Sequence, residues 1–273
     1  MKDSSTPISV VMPAFNAELY IAESIQSILE QSFDDFELII IDDASTDKTL
    51  DILNEYVKKD SRIRVFSNEK NLGIAGNRNL GVSLALGKYL AWQDADDVSL
   101  PYRLEQQHQF LETHPEVGIV GGYLELFSGD DIRGVRRYAE GDFALRTSMF
   151  KYSPIAQPAA MIRKDVLDRV GIYDLSYPPA EDLDMTFRIG MLSKLANIPK
   201  ILIRYRVSET SATGKSLKTM ELNTLRIRRK YLFKTPYQAS VMDIAYNLAH
   251  FLSIYLVPGK WKIKLFSLLR DTI

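Results

Sequence analysis

Short apolar runs alternate with stretches of helical spacing through the first hundred residues, and this alternation constrains the fold more than any other feature. Ile8-Ser9-Val10-Val11-Met12 has buried-strand character and is ended by Pro13. Asn16 is placed to cap a helix to about Gln31, with Ile21, Ile25, Ile28 and Leu29 on one stripe. Phe36 to Ile41 is a second strand, ending at Asp42-Asp43. Ser45 or Thr46 can start a second helix, with Leu50, Leu53 and Val57 inward. Arg62 to Phe66 is a third strand, and Gly73 to Leu86 a third helix closed by Gly87. Lys88 to Gln93 then runs into Asp94-Ala95-Asp96-Asp97. The pattern predicts an α/β fold, a mostly parallel central sheet flanked by helices.

The later chain has a different texture. Val117 to Phe127 reads as a strand, Gly129-Asp130-Asp131 as a turn and Asp142 to Phe150 as a short helix. Ile155 to Arg163 reads as extended, and Asp165 to Val170 as a brief helix before Gly171. Glu181-Asp182 opens a helix over Leu183 to Leu195, with Met185, Ile189 and Leu192 inward, and Lys200 to Val207 closes as a strand. At 273 residues with 46% apolar and 25% charged side chains, the chain supports an ample core. A net charge of −1 argues against a nucleic-acid partner, and the absence of cysteine excludes disulfides, thiolate zinc sites and cysteine nucleophiles. The first seven residues lack a signal-peptide core, so the expected location is the cytoplasm.

Ligands of open α/β sheets bind beyond the carboxyl ends of the strands. Here those ends carry Pro13-Ala14-Phe15-Asn16, Asp42-Asp43, Asn68 and Asp94-Ala95-Asp96-Asp97. Crowded carboxylates repel unless a cation or hydrogen-bond donors neutralise them. In an extended chain Asp94 and Asp96 share one side and Asp97 takes the other. Such a pair suits a hard ion, Mn²⁺ or Mg²⁺, whose remaining ligands a diphosphate can supply. No G-x-G-x-x-G or P-loop is present, so a nucleotide would be held through a metal rather than a glycine cradle. Each piece also has a structural reading: Asp42-Asp43 as a cap for the following helix, Arg78 as a solvated helix residue, Glu181-Asp182 as a helix N-cap. His108, His114 and His250 make no ligand spacing, and Trp92 reads as core.

Taken together, Val10-Val11-Met12-Pro13-Ala14-Phe15-Asn16, Ile41-Asp42-Asp43-Ala44-Ser45-Thr46-Asp47, Asn71-Leu72-Gly73, Gly76-Asn77-Arg78-Asn79, Asp94-Ala95-Asp96-Asp97 and Glu181-Asp182 resemble a family 2 glycosyltransferase. The resemblance covers roughly the first 210 residues, in the family's order. It implies the nucleotide-diphospho-sugar transferase fold, of GT-A type. It also implies an inverting, metal-dependent hexosyltransferase with a UDP-sugar as the favoured donor. The acceptor would be a glycan or lipid-linked saccharide of bacterial surface polysaccharide synthesis. Pro13, Ala14 and Asn16 would line the nucleotide pocket, Asp43 would accept from the base, and Arg78 would lie near the nucleotide or its diphosphate. Asp94 would hold the ribose side, Asp96 (alternatively Asp97) the metal, and Asp182 would be the catalytic base beside Glu181. A sugar hydroxyl must lose its proton as it attacks, which a positioned carboxylate can accept. Where the family's short enzymes often carry a histidine after a tyrosine and arginine, this chain has Val207-Ser208-Glu209-Thr210-Ser211. A nucleotidyltransferase and a non-catalytic nucleotide-sugar-binding module remain the alternatives.

The expected organisation is a catalytic domain over 1–212, its nucleotide half about 1–98 and its acceptor half about 99–212, then a helical region over 213–273. Ser216 to Lys234 is a basic helix; Val241 to Val257 is apolar but interrupted by Asp243, Asn247 and His250, so it is too short to span a bilayer, which takes about 20 apolar residues. Lys260-Trp261-Lys262-Ile263-Lys264-Leu265-Phe266 mixes cations with aromatics, which favours peripheral attachment to an anionic inner-membrane surface. Packing on the catalytic domain or on a second copy is the alternative.

Overall fold

The structure is a computed structural model describing residues 6–207, 217–257 and 261–262. β1 (Ile8–Ala14), β2 (Phe36–Asp42), β3 (Ile63–Ser67) and β4 (Tyr89–Trp92) are connected by α1 (Ile21–Leu29), α2 (Thr49–Lys59) and α3 (Gly73–Leu84). The second half adds β5 (Val98–Ser99), α4 (Arg103–Thr113), β6 (Val117–Ser128), β7 (Asp131–Arg136), α5 (Asp142–Ser148), β8 (Met161–Arg163), α6 (Lys164–Val170), α7 (Glu181–Leu192) and β9 (Lys194–Arg206). Two further helices follow, α8 (Leu217–Tyr231) and α9 (Val241–Leu256).

All nine strands join one sheet, in the order β3-β2-β1-β4-β8-β6-β9-β5, with β7 on the far part of β6. The first four strands are mutually parallel, as are β6 and β9, whereas β8, β5 and β7 pair antiparallel. Both faces are covered, which is why β1 and β2 are apolar without alternation. Val11, Ile39 and Ile41 point into one core with residues of α3, α6 and α7. Val10, Met12, Leu38 and Ile40 point into the other with residues of α1, α2 and α4. The chain crosses from β1 to β2 in one direction and places β4 on the other side of β1, so the crevice expected to hold a ligand opens between the carboxyl ends of β1 and β4. The long β6–β9 pair carries the end of β9 back to that crevice, where β5 joins it directly after the acidic turn.

Several local expectations give way. α1 begins at Ile21, not Asn16, which sits in the left-handed region at φ 49, a conformation asparagine tolerates. α2 begins at Thr49, and Val57 is exposed while Ile52 and Tyr56 pack inward. α3 ends at Leu84, so Gly87 does not close it; a Cβ there would lie 2.5 Å from the Ser9 amide nitrogen, so the glycine permits close approach to β1. Leu192, at the end of α7, is exposed rather than inward. The 212/213 boundary, the run after Val207 and most of Lys260–Phe266 lie outside the described residues.

Candidate active site

The acidic segment after β4 is a turn, not an extended strand, yet it still separates Asp94 and Asp96 from Asp97. The Asp97 amide donates to the Asp94 carbonyl at 3.2 Å. Gln93, wholly buried, holds the turn from beneath, its amide donating to the carbonyls of Asp94 and Asp97. Its own oxygen accepts from Ser99 and Arg103. Asp94 and Asp96 remain half-buried at the rim, while Asp97 turns inward and accepts the Arg206 amide at 2.9 Å. Asp97 Oδ2 is buried with no hydrogen-bond partner among the described residues. This geometry favours Asp94 and Asp96 over Asp97 as rim-facing carboxylates.

Arg206 clasps the turn from β9. Its Nε donates to the Asp96 carbonyl, it pairs with Glu23, and its guanidinium lies 4.2 Å and 4.4 Å from the ring centroids of Tyr20 and Phe127. Neither Gln93 nor Arg206 was assigned a role from sequence. A polar residue between a strand and an acidic turn is the available signal for Gln93; Arg206 lies near the end of the predicted Lys200 to Val207 strand with nothing local to single it out.

Arg78 is the charge that joins the two acidic groups. It rises from α3, is buried, pairs with Glu181 at the start of α7, and lies between the rings of Trp92 and Tyr173, 5.7 Å from each centroid. Burial opposes its charge, but Glu181, Asp182 and Asp94 overcome this and hold the guanidinium above its ordinary range. Arg78 is therefore the counter-ion of the rim carboxylates rather than a solvated helix residue. Asp182 sits in the first turn of α7 with its carboxylate accepting the Leu183 amide at 2.8 Å. Burial pushes Asp182 and Glu181 above the usual carboxylate range, with Arg78 opposing. Burial likewise lifts Asp94 to about 6, Arg78 opposing and Asp96 and Asp182 reinforcing it. Asp96 and Asp97 move in the same direction for the same first reason. Glu181 Oε2, like Asp97 Oδ2, is an orphaned buried oxygen. An oxygen-only donor set with this surplus of negative charge fits a hard divalent cation at Asp94 and Asp96. Among the described residues no group of three or more His, Cys, Asp or Glu side chains converges on one point, so ligands from a substrate would complete such a site.

The β1 and β2 ends are stitched to each other. The Asn16 carboxamide accepts the Thr46 amide at 2.8 Å, and the Asn16 amide donates to the Ser45 hydroxyl at 3.0 Å. Pro13 and Ala14 end β1 beside them, and the Asp43 amide donates to the Ala14 carbonyl. Asp43 is buried and its two oxygens already accept the amides of Leu72 and Gly73 at 2.7 and 2.9 Å and the Asn68 side chain at 2.9 Å. It caps the start of α3, not the α2 that follows it in sequence. Asp42 Oδ1, alongside, is buried without a hydrogen-bond partner among the described residues. Away from the rim, a groove of about 490 Å³ lies by the first residues of β6 and β9, lined by Glu116, Arg146, Arg163 and Lys194 among others. None of the rim carboxylates lines it, and its Arg146 and Arg163 guanidiniums are committed to backbone carbonyls.

An uncharacterised glycosyltransferase of Haemophilus influenzae is 36% identical over 210 residues, 73% of this chain and 65% of that protein. An Escherichia coli relative, UDP-Glc:alpha-D-GlcNAc-diphosphoundecaprenol beta-1,3-glucosyltransferase WfaP, is 30% identical over 223 residues, covering 78% of this chain and 82% of that one. In fold, the chain matches S. aureus TarS 1-349 in complex with UDP-GlcNAc at TM-score 0.70 and 21% identity, over 91% of this chain and 72% of that one. It also matches the mannosyltransferase PcManGT from Pyrobaculum calidifontis, in complex with GDP-Man and Mn²⁺, at TM-score 0.67 and 18% identity, over 93% and 71%. The match of residues 9–171 to the glycosyl transferase family 2 model, more than half of the chain, establishes that it belongs to that family.

Proposed function

We propose that the chain is an inverting hexosyltransferase that moves one sugar from a nucleoside-diphosphate donor, UDP favoured, to a hydroxyl of a glycan or lipid-linked saccharide in bacterial surface polysaccharide synthesis. The observation that carries this reading is the placement of Arg78, which pairs with Glu181 at the α7 start and is stabilised electrostatically by Asp182 and by Asp94 on the β4 rim. A base and a diphosphate-facing acid are thereby held on one surface by elements about a hundred residues apart in the chain. The names of the relatives support the donor class: one acts on UDP-Glc, and the structural neighbours hold UDP-GlcNAc or GDP-Man with Mn²⁺.

In this mechanism Pro13, Ala14 and Asn16 form the nucleotide wall. Asp43 contacts the base through whatever acceptor capacity its three existing hydrogen bonds leave. Asp94 faces the ribose side. Mn²⁺ or Mg²⁺, held by Asp96 with Asp94 near it, would offset the charge that grows on the leaving diphosphate. Asp182 takes the proton from the acceptor hydroxyl as it attacks the anomeric carbon. Burial, the first cause, raises its affinity for a proton above that of an exposed aspartate, which makes the ionised carboxylate a stronger base. Attack opposite the leaving group inverts the anomeric centre, and NMR of the product reads this directly. Asp182→Asn tests the assignment: nucleotide binding is retained and turnover lost. A binding module would lose nothing on that change. We further propose a cytoplasmic location at the membrane surface, in keeping with the E. coli relative's undecaprenol-linked acceptor; no described helix is long and apolar enough to cross a bilayer.

A further inference from the structure

α9 is built inside out. A helix laid on a domain normally buries its apolar stripe and exposes its polar one. Here Asp243, Asn247 and His250 face the protein. Asn247 donates to the Phe150 carbonyl at 2.9 Å, Asp243 is buried at the capping box with Ser240, and His250 meets Glu221 of α8 at 3.3 Å. The opposite side presents Val241, Ile244, Leu248, Leu252, Tyr255 and Leu256, which are 42 to 81% exposed. At 100° per residue these positions, with Ala245 and Ala249 among them, span an arc of about 140°. That width exceeds the a/d seam of a helix pairing with a second copy. The face carries no charged residue.

The neighbouring helix says what covers it. Residues 217–257 contain six Lys and Arg and two acids. Both acids, Glu221 and Asp243, are buried, while Lys218, Arg226, Arg229, Lys230 and Lys234 are exposed. The charge offered to solvent here is therefore positive, on a chain whose net charge is −1. Lys218 sits 5.1 Å from the Tyr255 ring, at the edge of the apolar face, and Trp261 beyond α9 is 68% exposed. An apolar arc bordered by cations and ring side chains matches a lipid surface with anionic headgroups, where cations meet phosphates and the apolar face enters the acyl boundary. We infer that α9 lies in the plane of an anionic bilayer, inserting Val241, Leu248, Leu252 and Leu256, with the α8 cations against the headgroups. This deepens the membrane-surface reading above and rests on it.

The full chain should float with vesicles of phosphatidylglycerol and phosphatidylethanolamine, and not with phosphatidylcholine alone. Leu248→Glu/Leu252→Glu should lower the bound fraction at least about tenfold, and Lys218→Ala/Arg229→Ala should make the remaining binding weaker and less salt-sensitive. Both pairs are exposed, so the fold should survive; unchanged circular dichroism and unchanged UDP affinity by calorimetry establish that and report separately on the glycosyltransferase reading. Absence of flotation, or flotation indifferent to Leu248→Glu/Leu252→Glu, overturns the proposal. A dimer in sedimentation that the same double substitution dissociates, without lipid binding, also overturns it and assigns the face to a second copy.

Discussion

The rim of the sheet and the outer face of α9 depart from ordinary protein anatomy in opposite directions. At the rim, Asp94, Asp97, Glu181 and Asp182 crowd together in buried or half-buried positions, with Arg78 and Arg103 among their cations. On α9, polar residues are buried and apolar ones offered outward. Each arrangement costs stability in the isolated chain, since buried charge loses hydration and exposed apolar surface orders water. On the readings proposed above, each region is a complement to something outside the chain: a cation with a diphosphate at one, a lipid surface at the other.

The largest test of this contrast is chemical. Asp182→Asn should lower kcat by about 10²–10⁴-fold, with UDP affinity changed less than threefold; a variant that turns over normally removes the base from the scheme. Next in size is the counter-ion. Arg78→Ala leaves Glu181 and Asp182 buried without their cation and should destabilise the fold by about 3–5 kcal/mol, read by urea denaturation; Leu248→Glu on α9 should leave that stability within about 0.5 kcal/mol. Equal losses would dissolve the distinction between the regions.

Acid should strengthen the metal-free rim. Asp94, lifted from 3.8 to about 6 by burial, holds its proton more tightly folded than unfolded. Its contribution to stability is full below the unfolded value and lost as pH rises through about 6. The denaturation midpoint without metal should therefore rise from pH 7 to pH 5. Asp94→Asn should flatten that rise and stabilise the protein at pH 7 by roughly 1–3 kcal/mol, while weakening donor binding. A midpoint that falls over this range contradicts the assigned burial. The smallest effect is local to α9: Ser240→Ala removes one half of its capping box and should cost about 1 kcal/mol, without touching nucleotide binding.

The parallel half of the fold was legible because β1, β2 and β4 are buried on both faces, so each shows as a continuous apolar run in one sequence. The antiparallel insertion of β8 between β4 and β6 was not, because a three-residue strand has no periodicity to read. The start of α7 at Glu181-Asp182 could be read from the sequence; the pairing of Glu181 with Arg78 could not, because the two lie 103 positions apart. Asp43 shows a different limit. Its sequence position fits a cap for α2, yet its carboxylate reaches the first amides of α3, 29 and 30 residues away. Asn16 was misplaced as a cap because a side chain suited to N-caps suits left-handed backbone as well.

The claim on which the scheme depends is that the β1–β4 rim grips a nucleoside diphosphate through a divalent cation. Calorimetric titration of the full chain with UDP, with and without Mn²⁺, addresses it most directly. Saturable binding in the presence of Mn²⁺, weakened at least about tenfold without the metal or in Asp96→Ala, is the predicted result. No heat under either condition, or binding indifferent to both the metal and Asp96, would contradict it.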